Sequence, residues 1–270
     1  MCIAGLTDPG HRAGDNQDSI GWDEARALAF VADGLGGHAS GQVASGIVKQ
    51  TLLDTVGSID LRAAVRRAHA AVLRAAEQDE NLRGMASTVV VSRIERRTAH
   101  IVWAGDSRAY LWRAGELSRL TRDHSVVEGL REVAGLSETQ IRTHPQRNEV
   151  TNVLGAGDPA PSTTEIPLKR GDWILLCSDG LNGELRDEEI AHTLASSTTL
   201  SEAVQQLIAA ALANGGHDNV SAVLVKYDGP SKRNFTLHLT QGEITWLAVL
   251  AGAVLALLLA GAVLWFRHRR

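Results

Sequence analysis

Aspartates in this sequence recur where apolar, strand-like runs end. Ala29-Phe30-Val31-Ala32 leads into Asp33-Gly34, and Val102-Trp103-Ala104-Gly105 leads into Asp106-Ser107-Arg108. Ile174-Leu175-Leu176-Cys177-Ser178 leads into Asp179-Gly180. Asn16-Gln17-Asp18 precedes the first of these runs, and Gly215-Gly216-His217-Asp218-Asn219 precedes the last strand-like run. Taken singly, an Asp-Gly pair is a plain turn, because Asp caps turns and Gly tolerates positive φ; Asp228-Gly229 is read that way. The joint pattern says more. Strands of one sheet that all end in carboxylates bring like charges within a few ångströms, and each raises the pKa of the others. Hard divalent cations relieve that repulsion, and Mg²⁺ or Mn²⁺ suits carboxylates plus water. No Cys/His spacing of the kind that holds a soft metal occurs.

Such residues need strands to carry them. Strands are predicted over Ala27–Ala32, Thr88–Ile94, His100–Ala104, Ala109–Trp112, Trp173–Cys177 and Ser221–Tyr227, all rich in Val, Ile and Leu. Arg113-Ala114-Gly115-Glu116 reads as a hairpin turn. A helix is predicted from Ala39 to Val56, with Val43, Ile47, Leu52 and Val56 on one face. A second begins after Asp60 as N-cap and repeats Leu61, Ala64, Val65, Ala68 and Val72 at helical spacing. A third spans Leu200–Ala213, with Ala203, Leu207 and Ala210 inward. Consecutive strands joined by short turns favour an α+β fold of antiparallel sheets covered by helices over a doubly wound parallel sheet.

The 270 residues are 44% hydrophobic and 21% charged, and the net charge of −4 leaves no basic footprint for nucleic acid. No internal repeat points to a solenoid. Cys2 and Cys177 imply no disulfide framework, which fits a reducing compartment, and Cys177 reads as a buried small hydrophobe. Met1–Gly10 has neither the basic start nor the long apolar core of a secretory signal. From Ile244 to Phe266 no residue is charged. As a helix that run rises about 34 Å, enough to cross ~30 Å of hydrocarbon, with Trp246 and Trp265 near its ends, where aromatic rings favour the interface. The expected organisation is therefore a domain over 1–228, a polar linker over 229–243, a transmembrane helix over 244–266 and a short basic tail over 267–270.

The motifs, in order, run Asn16-Gln17-Asp18, Asp33-Gly34-Leu35-Gly36-Gly37-His38 with Gly41 and Ala44-Ser45, then Gly84-Met85-Ala86-Ser87-Thr88 and Gly105-Asp106-Ser107-Arg108. Thr121-Arg122-Asp123-His124-Ser125, His144-Pro145-Gln146-Arg147-Asn148, Cys177-Ser178-Asp179-Gly180-Leu181 and Gly216-His217-Asp218-Asn219 complete the series. From about Gly5 to Tyr227 the chain resembles the metal-dependent Ser/Thr protein phosphatases (PPM, or type 2C), in their compact bacterial form. The resemblance implies an α-β-β-α sandwich of two antiparallel sheets, with two Mn²⁺ or Mg²⁺ ions at one edge. It implies that Asp33 bridges both ions, that the Gly34 carbonyl ligates one of them, and that Asp179 and Asp218 hold the other. Asp18 supports the metal shell directly or through water, and Asp106 shares a third, weaker ion with Asp179. Arg12 is the implied phosphate-binding fork, placed one residue further from Asn16-Gln17-Asp18 than is usual. A mobile flap corresponds to about Val126 to His144. Gln17 stands where many relatives carry Glu, and Leu35 where eukaryotic relatives carry a His proposed as general acid. His38, near the start of a helix, is read as structural.

The resemblance further implies hydrolysis of phosphoserine and phosphothreonine in proteins by a metal-activated water, with Asp33, Asp179 and Arg12 at the chemistry and no phospho-enzyme. Ser178 is accordingly read as structural. Phosphoproteins and a Hanks-type Ser/Thr kinase in the same pathway are the implied partners. With the span, this places a single-pass protein in the membrane with its catalytic domain in the cytoplasm, although the tail Arg267-His268-Arg269-Arg270 pulls the other way under the positive-inside rule. Two rivals stay open. A two-metal hydrolase of small phosphoesters would differ only in the groove around the ions. A pseudophosphatase scaffold at the membrane is expected to lose the metal aspartates, and Asp18, Asp33, Asp179 and Asp218 are all present.

Overall fold

A computed structural model describes residues 1–11, 14–36, 39–55, 57 and 60–229. In chain order the elements are β1 (Cys2–Asp8), β2 (Asp18–Asp23), β3 (Leu28–Leu35), α1 (Ala39–Thr55), α2 (Leu61–Gln78), β4 (Ala86–Ser87), β5 (Val89–Glu95) and β6 (Thr98–Ala104). Then come β7 (Arg108–Arg113), β8 (Glu116–Arg119), α3 (Val126–Ala134), α4 (Glu138–Arg142), β9 (Ser162–Pro167) and β10 (Trp173–Cys177). The last are α5 (Asp179–Glu184), α6 (Asp187–Ser196), α7 (Leu200–Asn214) and β11 (Val220–Lys226).

Among the described residues the strands form two sheets, one ordered β1-β11-β10-β7-β8 and the other β2-β3-β5-β6-β9, with β4 paired to β3. All pairings are antiparallel, as the short connections predict. Three apolar layers hold the stack together. Val90, Ile101, Ile174, Leu176 and Val223 pack between the sheets. Phe30, Val89, Val91 and Val102 meet α1 and α2 through Val48, Leu52, Val65 and Val72. Tyr110, Leu175 and Leu224 meet α5–α7 through Leu181, Ile190 and Leu207. This is the expected sandwich of two sheets between helices.

Local signals account for most boundaries. Asp60 caps α2 by accepting from the Ala63 N–H at 2.9 Å, and the buried stripe is Leu61, Ala64, Val65, Ala68 and Val72, as predicted. The β7–β8 turn puts Ala114 and Gly115 at φ +53° and +89°, the geometry that matches strand twist. One face differs from expectation. The fully buried residues of α1 are Ala44, Ser45, Val48 and Leu52, while Val43 and Ile47 are only partly buried at its margin. Small side chains win there because the helix lies close on β2 and β3. The Ser45 hydroxyl donates to the Gln17 carbonyl at 2.6 Å, a contact a larger residue would displace. Val56 lies outside the described residues.

No helix among the described residues is long and apolar enough to cross a membrane. The span expected over 244–266, its linker from residue 230 and the tail over 267–270 lie outside them, as do Arg12 and His38.

Candidate active site

Antiparallel pairing within each sheet and the packing of the two sheets bring the aspartates together. Asp18 opens β2 and Asp33 lies near the end of β3, and the two are directly paired across the ladder. Asp106 sits in the turn from β6 to β7, Asp179 follows β10, and Asp218 precedes β11. Because β10 lies between β7 and β11, these turns open at the same end of their sheet. Electrostatic coupling ties the cluster across both sheets: Asp33 is raised by burial and then by Asp18, Asp179, Asp106 and Asp218.

Serines and threonines hold the carboxylates in place. The Ser178 hydroxyl donates to Asp18 Oδ2 at 2.7 Å and accepts from the Ser221 N–H at 3.0 Å, a positioning role in keeping with the structural reading that the resemblance implied. The Asp33 N–H donates to Thr88 Oγ1 at 3.1 Å, and the Thr88 N–H returns a bond to the Asp33 carbonyl at 2.8 Å. Thr88 in turn shares a hydrogen bond with Ser107, the neighbour of Asp106, at 2.8 Å. Thr88, Ser107 and Ser221 were missed as site residues, although Thr88 and Ser107 fall inside motifs already singled out. Gln17 positions backbone: its N–H donates to Asn219 Oδ1 at 2.8 Å, and its carbonyl accepts from the Gly34 N–H at 3.1 Å. Gly34 has to be glycine, because a Cβ there would overlap the Gly41 carbonyl.

Burial, then Asp179 and Asp218, pushes Asp18 from the usual 3.8 to about 7, against the hydrogen bonds of Ser221 and Ser178. Asp179 rises to about 6 through burial and the charge of Asp218, while a hydrogen bond with Asp33 holds it back. Asp106 is raised well above the ordinary range by burial and then by Asp179 and Asp123. Asp33 and Asp179 keep some exposed surface, whereas Asp18 is 7% exposed and its Oδ1 is buried without a hydrogen-bond partner. Among the described residues no three carboxylates, imidazoles or thiols already close around one point as a metal cage. The donor set nonetheless fits hard divalent cations: it is all oxygen, it repels itself, and it includes an orphaned buried carboxylate oxygen. Cys177 is buried and its thiol is pushed up to about 12, mainly by burial, so it is an inert packing residue.

The stretch expected to form the flap folds as α3 and α4. Val127, Ile141 and Arg142 wall a cavity of about 120 Å³ whose other side carries Asp106 and Asp179. Arg142 straps the flap to α5 by donating to the Gly183 and Leu185 carbonyls, each at 3.2 Å. Beneath the cavity, Arg108 pairs with Asp123 at 2.7 Å, both nearly buried, and donates to the Tyr110 hydroxyl at 3.1 Å. His124 stacks on Trp103 and accepts from the Gly105 N–H at 3.2 Å, fixing the backbone just before Asp106.

A family model described as Protein phosphatase 2C matches residues 10–225, which covers every described aspartate of the cluster. The chain belongs to the protein phosphatase 2C family. It is 35% identical over 237 residues to the serine/threonine protein phosphatase PstP of Mycobacterium tuberculosis, covering 83% of this chain and 45% of that protein. It therefore spans about half the length of that relative. It is 33% identical to the serine/threonine phosphatase stp of Listeria monocytogenes, covering 82% of this chain and 94% of that one. Among solved structures, the catalytic domain of PstP in complex with two manganese ions superposes with a TM-score of 0.76 at 31% identity, over 83% of this chain and 97% of that one. The 2C fold thus agrees with the sandwich of two antiparallel sheets between helices.

Proposed function

We propose that this 2C-family chain is a metal-dependent protein serine/threonine phosphatase, hydrolysing phosphoserine and phosphothreonine in other proteins. The observation that carries this reading is the cluster of Asp18, Asp33, Asp106 and Asp179, all four of them raised chiefly by burial and by neighbouring aspartates within a 2C domain. Two Mn²⁺ or Mg²⁺ ions would be held by Asp33, the Gly34 carbonyl, Asp179 and Asp218, with Asp18 in support and Asp106 with Asp179 for a third. When bound, such ions supply Lewis-acid stabilisation of charge on the phosphoryl oxygens during hydrolysis by water.

The chain's own residues do the positioning. Ser178 and Ser221 orient Asp18, and Thr88 ties the Asp33 backbone to the loop that carries Asp106. Arg12 serves as the phosphate fork. The cavity between the flap and Asp106 leaves room for a group approaching beside the cluster. Hydrolysis of a phosphothreonine peptide with Mn²⁺ tests the reading. It should exceed hydrolysis of a small aryl phosphate in kcat/KM and stop in excess chelator. Equal or greater efficiency on the small ester would favour a general phosphoesterase instead.

Residues 244–266 are assigned as a single membrane span, with the domain in the cytoplasm opposite a Ser/Thr kinase of the same pathway. The charge-free run supports the span.

A further inference from the structure

The end of the sandwich opposite the carboxylates is basic. Antiparallel strands have two ends, and the β5–β6 turn, the β9–β10 connection and the last residue of β11 all lie away from Asp33, Asp106 and Asp179. These carry Arg96 and Arg97, Lys169 and Arg170, and Lys226. Arg96, Arg97, Lys169 and Arg170 are exposed, and Lys226 is partly so. Among the described residues none of these five side chains makes an ion pair or hydrogen bond. The nearby carboxylates are already matched: Asp23 with Arg26, Glu95 with Arg93, Asp172 with Arg113 and Asp228 with the Met1 amino group. Glu24 and Glu116 in the neighbouring turns and Glu165, which faces only His100, are the acidic residues left nearby, so the five cations are in excess.

The turns are joined into one surface. The Leu168 N–H donates to the Arg97 carbonyl at 2.7 Å, and the Tyr227 hydroxyl donates to the Arg96 carbonyl at 2.8 Å. The Gly171 N–H donates to the Tyr227 carbonyl at 2.8 Å. Tyr227 is also where the chain leaves the domain, toward Lys232, Arg233 and the charge-free run from Ile244. Residues 230–243 span at most roughly 45–50 Å, so the exit end stays close to anything that holds residue 244.

We propose that this basic end is a docking surface for the headgroups of an anionic bilayer, which turns the carboxylate cluster away from the membrane. The inference rests on the reading of 244–266 as a span. A short tether holds the surface at high effective concentration over the leaflet, and a negative leaflet attracts clustered Lys and Arg. Strands of five to seven residues then separate the lipid-facing turns from the site by ~20 Å, which leaves the site open to soluble phosphoproteins.

The test uses the full chain reconstituted into vesicles of phosphatidylcholine alone or mixed with phosphatidylglycerol. Hydrogen exchange is followed in residues 95–98 and 168–171. Exchange there should slow only with phosphatidylglycerol and recover in high salt. The variant R96A/R97A/K169A/R170A should cut that protection at least ~10-fold, since each cation near an anionic surface is worth roughly fivefold, with unchanged turnover of a soluble phosphopeptide. Alkaline carbonate extraction reports the span separately. A stripped chain refutes the span and the docking with it. A resistant chain whose exchange ignores lipid charge, or whose protection survives in the variant, refutes the docking alone. Protection that appears only on adding a polyanionic protein or nucleic acid would assign the surface to that partner and overturn the proposal.

Discussion

Replacing Asp18 with Asn measures what the carboxylate cluster costs the fold before cations arrive. Asp18 is 7% exposed, with Oδ2 bound to Ser178 and Oδ1 buried without a partner. Its pKa rises from 3.8 to about 7, chiefly through burial. A carboxyl that holds its proton more tightly when folded stabilises the fold fully at low pH. That stability is lost as pH climbs from the unfolded value through the folded one. For Asp18 the whole effect is on the order of 4 kcal/mol, of which about 3 kcal/mol falls between about pH 5 and pH 8. Asp179, raised to about 6, adds in the same direction, and the group titrates jointly rather than residue by residue.

The assay is urea denaturation in chelator across that range. Unfolding free energy of the wild type should fall by at least ~3 kcal/mol from about pH 5 to pH 8. Asp18→Asn keeps an acceptor for Ser178 but cannot ionise, so its decline should be shallower by about that amount. The buried amide costs about 1–3 kcal/mol at every pH, which makes the slope the readout rather than the absolute value. Mn²⁺ at a hundred times its Kd should then add about 2.7 kcal/mol to the wild type at high pH, and less at low pH, where protons compete for the ligands. Superimposable pH slopes for wild type and Asp18→Asn would refute the argument.

Asp33→Ala should lower turnover of a phosphothreonine peptide by at least ~100-fold, and undiminished hydrolysis would remove Asp33 from the site. Arg12→Ala should raise KM by about 10-fold with the Mn²⁺ dependence unchanged, as expected when binding of the phosphate is lost; unaltered kinetics would show that its side chain lies elsewhere. Asp123→Ala leaves Arg108 buried without its main counter-charge and should cost about 3–5 kcal/mol in urea denaturation. Protease added to intact cells, or to spheroplasts where there is an outer membrane, should leave the domain whole, and its digestion would reverse the assigned orientation.

What could be read without coordinates follows burial. Trp173–Cys177 and Val220–Lys226 lie in the middle of a sheet, are covered on both faces, and so appear as unbroken apolar runs. Cys2–Asp8, Asp18–Asp23 and Ser162–Pro167 went unrecognised because they are edge strands, half exposed and mixed in polarity. The stripe of α2 was legible because its large residues repeat at one spacing, whereas α1 turns Ala44 and Ser45 inward for close approach, a choice only its neighbours impose. The aspartates announced themselves at strand ends, and the motif order was enough to indicate the family. That Asp18 stands opposite Asp33, and that Asp106, Asp179 and Asp218 share one end, depends on strand order and register. So do the pKa values, since burial and neighbouring charge arise from side chains far apart in the chain. By itself the sequence determined which residues could do chemistry, because that follows from residue type and local burial; only the tertiary structure decided which of them meet, because paired residues such as Cys2 and Lys226 lie at opposite ends of the domain sequence.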